Sequence, residues 1–173
     1  MKYILVILLV CTGISVAAQN KSELQTVSHV DPERYLGKWY EIAAFPQRFE
    51  KGCHCTQAEY GKKGDDILTV KNSCIKKNRI KVIRGKATIT DRKTNAKLSV
   101  QFFWPFRGKY WITELADDYS YAVIGHPNRK YLWILCRHKT MNEKLYNAIL
   151  GRARAKGFDV SRLRKTDQEC ELR

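Results

Sequence analysis

From Trp39 to Arg137 the chain alternates apolar and polar residues with a period of two, broken by turn residues roughly every 8–12 positions. Alternation sustained over that length asks for half-buried strands, and the even spacing of the turns suggests a sandwich or barrel. The expected strands are Trp39–Phe45, His54–Gly61, Ile67–Cys74, Ile80–Thr90, Lys97–Phe103, Lys109–Leu115, Tyr119–Gly125 and Tyr131–Arg137. Lys62 to Asp66, Thr94-Asn95 and Pro127-Asn128 supply turns between them. Eight strands joined in chain order fit an all-β, antiparallel up-and-down barrel, which closes on itself and leaves no exposed edge. A barrel of that size has room inside for one small ligand.

The pattern changes after Arg137. Thr140 and Glu143 form a capping box, and Leu145, Ala148, Ile149 and Ala153 recur at helical spacing until Gly157 ends the run. The expected result is a C-terminal α-helix packed outside the barrel, with Lys144, Arg152, Arg154 and Lys156 in water. The tail from Asp159 onward must be fastened by something. No second domain, internal repeat or low-complexity segment interrupts the chain.

The N-terminus carries Lys2, an apolar run from Ile4 to Val10 and the small residues Val16, Ala17 and Ala18. This predicts a signal peptide over residues 1–18 and a single domain over 19–173, secreted or periplasmic. The apolar run is too short to span a bilayer. An alternative is an outer-membrane lipoprotein anchored at Cys11, although Val10 stands where such signals place a small residue. The formal charge of the whole sequence is +15. Its lysines and arginines are scattered through predicted turns and one helix face, which is the distribution of a solvated surface. Nucleic acid is therefore not expected as a partner, whereas an anionic membrane surface or lipid headgroup is.

Three separated segments sharpen the reading. Asp31-Pro32 is an N-cap followed by proline at the first helical position, and Gly37 then frees the backbone to enter a strand at Trp39 and Tyr40. Asp117, Asp118 and Tyr119 open a later strand, and Arg137 closes the last one. In order and spacing these segments resemble the three signatures of the lipocalins, with Asp117 where threonine is usual. Arg34 to Ile42, Phe49 to Gly52 and Gly157 to Val160 look like the bacterial lipocalin and apolipoprotein D branch. The resemblance implies that Trp39 closes the barrel floor and that Arg137 packs across its face, a desolvated cation–π contact of about 1–2 kcal/mol. It implies structural roles for Gly37, Trp39, Tyr40, Asp118, Tyr119 and Arg137, the last loop residues marking the closed end.

Cys53, Cys55, Cys74, Cys136 and Cys170 follow the predicted leader. A hairpin across Gly61–Asp66 would set Tyr60 opposite Ile67 and hence Cys53 opposite Cys74, within disulfide reach. In the relatives, a cysteine aligned with Cys55 pins one aligned with Cys170, which would fasten the tail. Strand alternation leaves Cys136 under the helix as a small apolar residue. Cys53, His54 and Cys55 could also be read as metal ligands, but alternating strand residues point apart and no second cluster completes four ligands. One lipocalin branch, the prostaglandin D synthases, uses a cavity cysteine as nucleophile; here none of His29, His126 and His138 is placed to serve as its base.

The expected function is carriage of a fatty acid or lysophospholipid in the cavity, without catalysis, metal or cofactor. Strand parity and the resemblance select Tyr35, Tyr60, Phe102, Trp111, Trp133 and Leu135 as ligand contacts, with Lys62, Lys63, Arg107 and Lys109 at the rim. The alternative is a lipocalin-fold isomerase or epoxidase, which needs a titratable group deep in the cup.

Overall fold

A computed structural model of the chain describes residues 22–170; the predicted leader over 1–18, with Cys11, lies outside the described residues. A short helix α1 (Pro32–Tyr35) leads into eight strands: β1 (Gly37–Ala44), β2 (His54–Gly64), β3 (Ile67–Lys76), β4 (Arg79–Ile89), β5 (Lys97–Gln101), β6 (Gly108–Leu115), β7 (Tyr121–Gly125) and β8 (Leu132–Cys136). Consecutive strands pair antiparallel, and β1 pairs with both β2 and β8, so the sheet closes into a barrel. Asp31 caps α1 by accepting from the backbone N–H groups of Glu33 and Arg34. Gly37 adopts φ +88°, the left-handed turn that swings the chain from α1 into β1.

Two apolar layers share the sheet. Inward residues such as Trp39, Tyr60, Val70, Ile112 and Ile124 fill the lower part of the barrel. Outward residues of β1, β7 and β8 pack under helix α2 (Glu143–Ala155) through Tyr146, Ile149 and Ala153. Phe158 then seals the join: a Cβ added to Gly125 would lie 2.4 Å from its ring, so β7 needs glycine there. Cys136 is buried in this outer layer and unpaired.

The structure corrects three expectations. The helix starts two residues later than the capping box suggested: Asn142, not Thr140, accepts from the N–H groups of Lys144 and Leu145. Tyr146 rather than Ala148 faces the barrel. The β2–β3 hairpin is longer than predicted and turns at residues 65–66, so Tyr60 pairs with Val70, not Ile67. A bulge at Cys55, with φ +53°, then shifts the register before His54. Cys53 is nonetheless bonded to Cys74, from just outside the ladder, and Cys55 is bonded to Cys170.

The tail is fastened by more than that disulfide. Beyond the 3-10 turn at Val160–Arg162, a two-residue strand β9 (Arg164–Lys165) pairs with Ala43 and Ala44 of β1. Gln168 Nε2 donates to the carbonyls of Glu41 and Thr56, and Cys55 N donates to Asp167 O. The sequence pattern held no sign of β9, since a two-residue strand has no period to read.

Candidate ligand-binding site

Strand direction gives the barrel a floor and a mouth. Strand β1 rises from α1, so the connections after β1, β3, β5 and β7 lie at one end and those after β2, β4 and β6 at the other. The second end is closed. Val30 N donates to Thr94 O, and Asp31 N donates to the Tyr119 hydroxyl at 2.8 Å. Trp39 is fully buried there and donates Nε1–H to Tyr35 O at 2.9 Å. Arg137 lies over the Trp39 ring at 3.8 Å, and its terminal nitrogens donate to the carbonyls of Lys38 and Arg34, each at 2.8 Å. Tyr119 adopts φ +62° on the floor loop, where Asp118 accepts from Ser120 N and the Arg34 guanidinium stacks at 4.1 Å on the Tyr119 ring. Tyr40 is half-buried, its strand position alternating with the inward Trp39.

Above the floor, three tyrosine hydroxyls form a chain. Tyr35 and Tyr110 share a hydrogen bond of 2.7 Å, and Tyr60 donates to Tyr110 at 2.9 Å. Burial pushes the Tyr60 hydroxyl up to about 12 and the other two upward as well. All three therefore stay protonated and act as neutral hydrogen-bonding groups.

A cavity of about 630 Å³ opens from Tyr60 and Tyr110 to the mouth. Its walls are mainly apolar: Ala58, Val70, Val100, Phe102, Trp133 and Leu135. That volume lies within the usual range for small-molecule sites. Asn72 also lines it, and its Oδ1 has no hydrogen-bond partner among the described residues. Toward the mouth the lining becomes mixed, with Arg107 and Lys109 on one side and Glu41 and Glu50 on the other. Glu41 is buried and accepts from Thr166 Oγ1 at 2.5 Å. Burial, and then the neighbouring Glu41, push the Glu50 carboxyl up to about 8. Burial also raises Glu41, partly offset by its Thr166 hydrogen bond.

Of the sequence-selected contacts, Tyr60, Phe102, Trp133 and Leu135 lie on the cavity wall. Tyr35 does not: it is packed beneath Tyr60 as part of the floor, not near the entrance. Trp111 does not either. It points outward onto the outer apolar cluster with Lys97 Nζ 4.4 Å above its ring, while its neighbour Tyr110 points in. Both faces of β6 are apolar there, one turned into the barrel and one packed on the outer cluster, so parity alone cannot choose. Lys62 and Lys63 are at the wrong end for a rim. They sit beside the floor hairpin, where Lys62 pairs with Glu33 at 2.5 Å; only Arg107 and Lys109 reach the mouth. Counting strand directions from α1 would have separated these two pairs. Glu41 and Asn72 were missed because single polar residues on a barrel strand read as outward-facing, and Glu50 because it stands in the loop after β1.

Among the described residues no group of three or more His, Cys, Asp or Glu side chains is arranged to hold a metal ion. His54 stands beside Cys53 and Cys55, both of which are in disulfides.

Comparison with known proteins agrees with this architecture. A family model described as a lipocalin-like domain matches residues 30–168. Temperature-induced lipocalin-1 of Arabidopsis thaliana is 39% identical over 157 residues, covering 86% of this chain and 84% of the relative. The outer membrane lipoprotein Blc of Escherichia coli (strain K12) is 41% identical over 138 residues, covering 79% of this chain and 78% of the relative. Among solved structures, insecticyanin from the tobacco hornworm Manduca sexta superposes with a TM-score of 0.70 at 23% identity, covering 84% of each chain.

Proposed function

The chain belongs to the lipocalin family, and from that premise we propose that it binds and carries a single-chain amphipathic lipid, a fatty acid or lysophospholipid, in its barrel. The observation that carries this reading is the polarity gradient of the cavity. Its lower wall is apolar from Val70 to Trp133 and Leu135, and Arg107 and Lys109 stand at its mouth. An alkyl chain entering tail-first gains about 0.8 kcal/mol per buried CH₂. Its headgroup then stays at the level of the two cations, where an anionic or zwitterionic group is favoured. The tyrosines at the base supply only neutral hydroxyls, and the titratable groups of the wall, Glu41 and Glu50, stand toward the mouth beside the headgroup rather than along the alkyl chain, which supports carriage of the bound lipid. The relative named as an outer membrane lipoprotein, together with the two disulfides, supports a setting outside the cytoplasm.

Native mass spectrometry of the protein from its own host, followed by lipid extraction, tests the proposal. Protein mass with one added monoacyl lipid is expected. Protein that leaves its host empty, and that takes up no fatty acid or lysophospholipid after delipidation, would sink it.

A further inference from the structure

Every large hydrophobic side chain that the described residues leave exposed lies at the mouth end of the barrel. Phe49 is 69% exposed, Phe103 66%, Trp104 86% and Phe106 77%, all in mouth loops together with Tyr131. Ile80 and Val82 stand on the first residues of β4, at the same end. Single exposed apolar residues are ordinary; a cluster confined to one end of a barrel is a surface made to meet something. Trp104 states this most sharply, because it neither lines the cavity nor belongs to either apolar core.

Charge is divided the same way. The mouth loops (45–53, 77–78, 102–107 and 126–131) carry six cations and one acid, Glu50, and the tail held against Cys55 and Asn78 adds Asp167 and Glu169. The floor loops (65–66, 90–96 and 116–120) carry two cations and five acids. Among the described residues no mouth-loop cation pairs with a carboxylate; Glu33–Lys62 and Asp66–Arg92 lie at the floor, and the remaining ion pairs join other segments. Glu50 itself is held up to about 8 by burial and by Glu41, so near neutral pH it adds little negative charge.

We propose that the mouth of the barrel is a docking surface for a phospholipid bilayer bearing anionic headgroups, with Trp104 and its aromatic neighbours entering the interface and the cavity opening onto the membrane. This rests on the carrier reading for what passes through the mouth, not for the docking itself. An exposed amphipathic indole at an end whose loop cations pair with no carboxylate among the described residues matches a headgroup layer over acyl chains. A second copy joined mouth to mouth would oppose like charges across a symmetric contact. A folded protein partner would meet separate loop tips around an open hole rather than one continuous face, whereas a fluid bilayer fills between them.

The test is flotation of the chain from Gln19 onward, which contains the whole described barrel, with phosphatidylcholine vesicles either pure or containing about 30% phosphatidylglycerol. Binding is expected on the anionic vesicles, weaker on the neutral ones and reduced by salt. Trp104→Ser should lower partitioning roughly tenfold or more. The double variant Lys77→Glu and Lys130→Glu should cost about tenfold on anionic vesicles and little on neutral ones. Vesicles with bromine in the acyl chains should quench wild-type emission more than that of Trp104→Ser. Vesicle binding that is absent, or indifferent to both variants, overturns the inference, as does a Trp104-dependent dimer in light scattering. Palmitate binding without vesicles, measured on the same variants, separates the two readings. Docking lost with palmitate binding intact overturns the docking surface alone, and palmitate binding absent with docking intact overturns the carrier alone.

Discussion

Arg137 from the end of β8 lies 3.8 Å over the ring of Trp39 at the start of β1, so the two strands that close the barrel are joined by a cation–π contact at the floor. The same guanidinium donates to the carbonyls of Lys38 and Arg34, which fixes α1 beneath the barrel. Trp39→Ala should therefore lower stability by about 3–5 kcal/mol. Arg137→Ala should lower it by about 2–3 kcal/mol, from the lost cation–π contact and the unmet carbonyls. Urea unfolding measures both. Lipid affinity at a temperature where both variants remain folded should change little, because neither side chain lines the cavity.

The C-terminal tether invites a separate test. The Cys55–Cys170 disulfide spans 115 residues of sequence, and constraining a loop of that length contributes up to about 4–5 kcal/mol in the chain-entropy view. Cys170→Ser should lower the urea midpoint and expose the β9 segment to proteolysis first. Unchanged stability would mean that the hydrogen bonds of Gln168 and Thr166 hold the tail unaided.

How much of this was legible in the sequence depended on what each residue faces. The strands and the Trp39–Arg137 floor follow from alternation and from signature residues, and Trp133 and Leu135 follow from sharing the parity of Arg137, although β8 is apolar on both faces. Alternation fails on β6, where Tyr110 and Trp111 both find apolar surroundings on opposite faces. The β2–β3 register was lost because Lys62, Lys63 and Gly64 read as turn although they continue the strand. Burial of Glu41 depends on Thr166, which is 125 residues away along the chain, and no local pattern reports such a partner.

The raised Glu50 carboxyl predicts a pH dependence of definite sign. Between its ordinary value of 4.5 and about 8 the folded protein keeps a proton that the unfolded chain has released. Stability should therefore fall as pH rises through that window and level off above it. Glu50→Gln should flatten the slope, leaving a remainder from Glu41, whose carboxyl is also raised. Thermal melts from pH 5 to 9 check this, and a stability that rises over the window would contradict it.

Charge reversal separates the two ends of the barrel. Arg107→Glu with Lys109→Glu should weaken palmitate binding about tenfold and affect a neutral long-chain alcohol less, with added salt mimicking the change. Lys62→Glu with Lys63→Glu should leave palmitate affinity unchanged, since those residues lie at the floor. Equal losses from the two double variants would mean that net charge, not position, governs binding.

The central claim is that an alkyl chain occupies the cup beside Trp133. Titration of the delipidated protein with a fatty acid brominated along its chain measures this directly. Saturable quenching at one ligand per chain is expected, with most of it lost in Trp133→Phe while the circular dichroism spectrum stays that of a folded barrel. Quenching that never saturates, or that survives intact in Trp133→Phe, would show that the lipid does not lie in the cavity.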